Sequence, residues 1–154
     1  MSDAKFIDGR EAPLRLIAQD SEDLKVFSTM LQDAIAERKE MLYETKRKSF
    51  SALLKRFRWE DAEEASRQSR SFERVQTVLT FNSVLSVKYQ GFNYDQLDLA
   101  FDLLSIEATD DQIILAFAGD GSIALNVECV DALLSDVSRP YTAKSNHIPK
   151  HRLD

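Results

Sequence analysis

Cysteine, proline and glycine are all scarce in this chain of 154 residues: one Cys, three Pro and four Gly. A lone cysteine, Cys129, allows no internal disulfide. The glycines are Gly9, Gly91, Gly119 and Gly121, so neither G-x-G-x-x-G nor G-x-x-x-x-G-K-[ST] can be written, and the phosphate-cradling loops are missing. Gly119-Asp120-Gly121 is an isolated G-x-G that runs into a strand, which is the pattern of a hairpin turn and offers no helix N-terminus to a phosphate. Histidine is nearly absent as well. His147 and His151 flank Pro149, which disfavours the helical turn that would put both rings on one metal, and both are expected in a solvated tail. Without a histidine in the folded part, a Ser or Cys nucleophile lacks its usual base, and G-x-S-x-G does not occur. Cys129 is therefore read as a small buried hydrophobe. No stretch approaches 18 apolar residues and the first twenty residues lack a signal-peptide pattern, so a cytoplasmic protein with no membrane contact is expected. No cofactor and no metal is expected either. Asp110-Asp111 and Asp120 lack the spacing and closing glutamate of a calcium loop.

The most informative scarcity is of positive charge. Residues 89–138 contain ten acidic side chains and no Lys or Arg. The remainder holds 20 basic and 16 acidic residues, so the net −6 divides into −10 and +4. Six of the basic residues (Lys46, Arg47, Lys48, Lys55, Arg56, Arg58) lie in residues 46–58, interleaved with Phe50 and Phe57 and followed by Trp59. Cations beside aromatics on a sheet can bind single-stranded nucleic acid. The acids at Glu60, Asp61, Glu63 and Glu64 and the acidic third argue against that reading, and nucleic acid is not the expected partner. A half-buried hairpin explains the run equally well, with aromatics turned inward and Lys/Arg to water.

What is present is strand periodicity. Pro13–Ala18 reads as a short strand and Asp20 as the N-cap of a helix over Glu22–Ile35, with Leu24, Phe27, Leu31 and Ile35 on one stripe. Met41–Thr45 and Ser49–Trp59 read as a hairpin about Lys46–Lys48. Strands follow over Phe72–Phe81, Val84–Tyr89, Leu97–Ala108, Gln112–Ala118 and Ser122–Glu128. Residues 60–71 read as a surface loop with room for a helical turn, and Val130, Leu133, Leu134 and Val137 as a closing helix ended by Pro140. Short connections disfavour parallel crossovers. The expectation is one α+β domain over residues 13–138, with flexible termini at 1–12 and 139–154. Its mostly antiparallel sheet would curl into a partly closed barrel or a sandwich between one N-terminal and one C-terminal helix, in the order of a pleckstrin-homology-like barrel.

The segments LRLIAQDSEDLKVFSTMLQDAI, RFRWED, FERV and FAGDGSIALNVECVDALLSDV resemble a small bacterial family described only as a domain of unknown function. The resemblance covers roughly residues 14–137, with Asp120 where the family pattern has the middle of three glycines. It implies no activity or catalytic residue. It does single out Arg56, Trp59, Glu60, Glu73 and Arg74 as the candidate ligand- or partner-binding set. These five either pair among themselves over the hairpin or line a groove. The reading that follows is a non-catalytic binding module with oppositely charged surfaces, meeting a protein partner or a second copy. A small enzyme using Arg56, Glu60, Glu73 and Arg74 in one groove is the alternative, and weak single-strand binding through residues 46–58 is the other.

Overall fold

A computed structural model describes residues 13–92 and 98–143. In chain order the elements are β1 (Arg15–Ala18), α1 (Ser21–Met30), β2 (Ile35–Glu44), β3 (Ser49–Phe57), α2 (Trp59–Arg67), β4 (Glu73–Phe81), β5 (Val84–Gln90), β6 (Ala100–Ala108), β7 (Gln112–Phe117), β8 (Ser122–Val127), β9 (Ala132–Asp136) and β10 (Tyr141–Thr142). All strand pairs are antiparallel, in the order β1-β9-β4-β3-β2-β6-β7-β8-β5, with β10 added against β4.

Three corrections to the expected fold follow. First, the sheet does not close. Its path runs from β1 to β5, and those two ends do not pair. The sheet does fold back on itself, since Phe50 of β3 and Tyr89 of β5 have ring centroids 6.5 Å apart although four strands separate them in the order. The barrel or sandwich, and the pleckstrin-homology comparison with it, gives way to an open sheet bent around one core. Second, the expected C-terminal helix is strand β9, held between β1 and β4. Ala132 and Leu134 are buried alternately, and a segment as short as Ala-Leu-Leu-Ser-Asp fits either period until its neighbours are known. Third, the second helix lies mid-chain at Trp59–Arg67, where a loop was expected. Its buried face is Asp61, Ala62 and Ala65, an alanine stripe too weakly apolar to stand out among charges.

Helix α1 begins as its sequence suggests. The Asp20 carboxylate accepts from the Asp23 N–H at 2.8 Å, and Glu22 and Asp23 put negative charge on the first turn. It stops at Met30, short of the expected Ile35, because Asp33 takes φ 62° and the chain turns into β2. Lys48 (φ 51°), Ser83 (φ 59°) and Asp120 (φ 73°) form the turns expected near Lys46–Lys48, Asn82-Ser83 and Gly119–Gly121. The link at Ser83 does not make a hairpin, since β5 pairs with β8 instead of β4. Gly91, at φ 78°, lies so close to that last turn that a Cβ there would stand 2.5 Å from the Asp120 carbonyl oxygen. Part of the expected C-terminal tail is a strand too: Tyr141 and Thr142 pair with Arg74 and Glu73.

Candidate functional site

Strand β3 turns Phe50, Ala52, Leu54 and Arg56 toward the core and Leu53, Lys55 and Phe57 to the other face. The inward row therefore carries a guanidinium among apolar side chains. Arg56 is fully buried. Its Nε and Nη2 donate to the two Asp136 oxygens at 3.0 and 2.9 Å. Its Nη1 and Nη2 donate to the two Glu60 oxygens at 2.9 and 2.8 Å, and Nη1 also reaches the Phe57 carbonyl at 3.5 Å. All five N–H donors are therefore used. Burial opposes the charge, but the hydrogen bonds and charges of Glu60 and Asp136 outweigh it and hold Arg56 protonated far above its ordinary range.

The ion pairs continue along α2. Arg58, also buried, donates to Glu73 and lies 3.7 Å from Glu60 and 3.8 Å from Asp61. Asp61 accepts both Nη groups of Arg70 at 2.9 Å. The Arg70 hydrogen bonds are the main reason its carboxyl titrates below the usual carboxylate range. Asp136 also accepts the Leu14 N–H at 2.8 Å, which ties β1 into the cluster. Three arginines and four carboxylates thus join β1, β3, α2, β4 and β9.

Trp59 and Arg74 go elsewhere. Trp59 donates its indole N–H to the Gln32 carbonyl at 3.1 Å and packs edge-on against Phe57, with centroids 4.7 Å apart. Arg74 pairs across the strands with Phe57 on one side and Tyr141 on the other. Its guanidinium stands 5.9 Å from the Phe57 centroid, and Nη1 donates to the Lys55 carbonyl at 3.0 Å and the Asp33 carbonyl at 3.5 Å. Burial lowers the Arg74 pKa, while Tyr141, Asp102 and Asp33 partly offset the effect. The five candidates therefore divide. Arg56, Glu60 and Glu73 belong to the ion cluster built on the buried Arg56 and Arg58; Trp59 and Arg74 sit on the opposite face around Phe57.

Arg58, Asp61, Arg70 and Asp136 escaped the sequence reading. Arg56–Glu60 and Arg58–Asp61 carry helix-like spacings, which is a usable signal, but Asp136 lies 80 residues from Arg56 and leaves none. Within the basic run, Phe50 and Phe57 are buried and Arg56 and Arg58 are paired. Cys129 is exposed, not buried, because it falls in the connection from β8 to β9. His147 and His151 lie outside the described residues. Among the described residues no group of three or more His, Cys, Asp or Glu could hold a metal ion, and no helix is long and apolar enough to cross a membrane. A groove of about 610 Å³ between α1 and β6 is lined by hydroxyls (Ser28, Thr29, Ser105), Lys25 and Glu107, and Lys25 already pairs with Glu22.

Residues 14–151 match a family described as "Protein of unknown function (DUF2948)". The match spans most of the chain and extends past the segments that carry the resemblance, so the chain belongs to that family. Comparisons with curated proteins and with solved structures find no match.

Proposed function

We propose that this domain is a non-catalytic interaction module that pairs with a second copy of itself through a mixed-charge end of the sheet. What supports this reading is the nearness of two turns of opposite sign. The Val84 N–H donates to the Lys48 carbonyl, Val84 pairs with Val127, and the Val127 N–H donates to the Asp111 carbonyl. The basic turn of Lys46, Arg47 and Lys48 thus stands beside the acidic turn of Asp110 and Asp111, and all five side chains are exposed. Adjacent patches of opposite sign are what a two-fold interface needs, because each copy then offers the other its complement. The arrangement of the four residues gives the enzyme alternative less support. Arg56 and Glu60 are locked to each other, Glu73 is held by Arg58, and Arg74 lies across the sheet from all three.

The test is sedimentation velocity over a range of concentrations. At an ionic strength of about 0.01 M, where charges act over roughly 30 Å, association is expected; near 1 M it should vanish. Lys46→Glu with Arg47→Glu should abolish it at low salt. Mixing that variant with Asp110→Lys/Asp111→Lys should restore a mixed dimer. A monomer at every concentration and salt overturns the reading.

A further inference from the structure

We propose that Arg74 anchors a binding site for a single carboxylate group on the outer face of β3 and β4. This goes beyond self-association and needs no second copy.

The inference rests on a comparison of two guanidinium groups in one molecule. In Arg56 the edge formed by Nε and Nη2 holds both oxygens of Asp136 at 3.0 and 2.9 Å. That is the side-on, two-bond geometry in which arginine recognises a planar carboxylate. In Arg74 the same edge is open. Its only hydrogen bonds run from Nη1 to the main-chain oxygens of Lys55 and Asp33, and Nε and Nη2 have no partner among the described residues. No carboxylate lies within salt-bridge distance of Arg74 among the described residues, whereas Arg56, Arg58 and Arg70 each have one. A half-buried guanidinium keeps its desolvation penalty and forgoes the compensation an anion would supply.

The surroundings define the guest. Nη1 is fixed by two carbonyls, so the open edge is held in one orientation before anything binds. Phe57 is buried beneath it, and the half-buried rings of Trp59 and Phe72, packed against Phe57, supply the apolar surface nearby. Lys55, exposed and without an ion pair among the described residues, lies on the neighbouring strand at the position opposite Gln76, two residues along from Arg74. Asp33 and Asp102 act on Arg74 from a longer distance. Their negative charge favours a guest with one charge over a dianion such as phosphate. A planar monocarboxylate with an apolar or aromatic body meets each of these conditions.

Such a carboxylate comes from a small molecule or from a Glu side chain of a polypeptide, and a titration separates the two. The probes are acetate, benzoate, a blocked glutamate (N-acetyl-glutamate amide) and inorganic phosphate, added at constant ionic strength. The readout is the Nε–H resonance of Arg74 and the backbone amides of residues 55–59 and 73–75. Acetate and benzoate should give saturable shifts, with phosphate roughly tenfold weaker. Arg74→Lys keeps the charge and loses the two-bond edge, so it should lose most of the response; Arg74→Gln should lose all of it. Tighter binding of benzoate than of the blocked glutamate assigns the site to a small aromatic acid, and the reverse order to a polypeptide side chain. The proposal is overturned by the absence of a saturable shift in the unaltered protein, by phosphate binding as tightly as acetate, or by an Arg74→Lys protein that binds undiminished.

Discussion

Arg56 and Arg74 stand on the two faces of the same pair of strands, and their environments differ in one respect. Arg56 has a bonded acceptor for every N–H and no exposure at all. Arg74 is half-buried, and two of its three nitrogens have no partner among the described residues. A buried ion cluster completed internally acts as a joint. Here it fixes α2 against β3 and β9, and through Asp136 it holds the N–H of Leu14 at the start of β1. A guanidinium left incomplete still has donors to offer a partner. The lesson is that identity and proximity in sequence do not assign an arginine its role; the acceptors that reach it do.

The widest break in this comparison is a matched pair of substitutions. Arg56→Gln leaves the buried Asp136 carboxylate without its cation and Glu60 with only Arg58 at 3.7 Å, and removing one partner of a buried pair costs about 3–5 kcal/mol. Arg74→Gln removes hydrogen bonds to two carbonyls and relieves a desolvated charge, so a loss of at most about 1 kcal/mol is expected. Urea denaturation of both proteins gives the two values directly. Equal losses would erase the distinction between a completed and an incomplete guanidinium.

Much of the fold was legible, because alternation is a loud signal in strands such as Glu73–Phe81 and Gln112–Phe117, where buried positions recur every second residue. Two kinds of information were not local. The face that β3 turns inward could not be read, since its inward row ends in Arg56 and a one-residue change of register exchanges the two faces. The closing strand β9 reads as a helix until β1 and β4 are placed on either side of it. The same limit governs the site. Arg56 and Glu60 are neighbours in sequence and could be paired by eye, whereas Asp136, which takes the other side of the guanidinium, reaches it only through the β4–β9 pairing.

Acid sharpens the comparison at intermediate size. Asp61 titrates below its ordinary range, chiefly because Arg70 donates two hydrogen bonds to it. A carboxyl with a depressed folded-state pKa contributes stability above its unfolded value of about 3.9, and that contribution is lost as pH falls through the folded value. The urea midpoint should hold from neutral pH down to about 4 and fall below that. Asp61→Asn should be less stable at neutral pH and show a shallower acid decline. Arg74→Gln should move the acid limb far less than Asp61→Asn does, since no carboxylate lies within salt-bridge distance of Arg74 among the described residues and Asp102 and Asp33 act on it only from farther away. An acid limb shifted as far in that variant would place Arg74 inside the ion cluster.

The smallest effect asks whether the completed face has any slack. Thr77 is fully buried on the core side of β4, directly opposite Leu54 of β3 and Asp136 of β9. Its hydroxyl has no hydrogen-bond partner among the described residues. A hydroxyl in that position loses its water and gains nothing in return. Thr77→Val keeps the shape and the β-branching and removes the oxygen, so the protein should gain about 1 kcal/mol with an unchanged denaturant slope. If stability falls instead, the hydroxyl serves the Asp136 carboxylate in solution. The ion cluster then extends one residue further into the sheet, and the contrast with the open edge of Arg74 becomes larger.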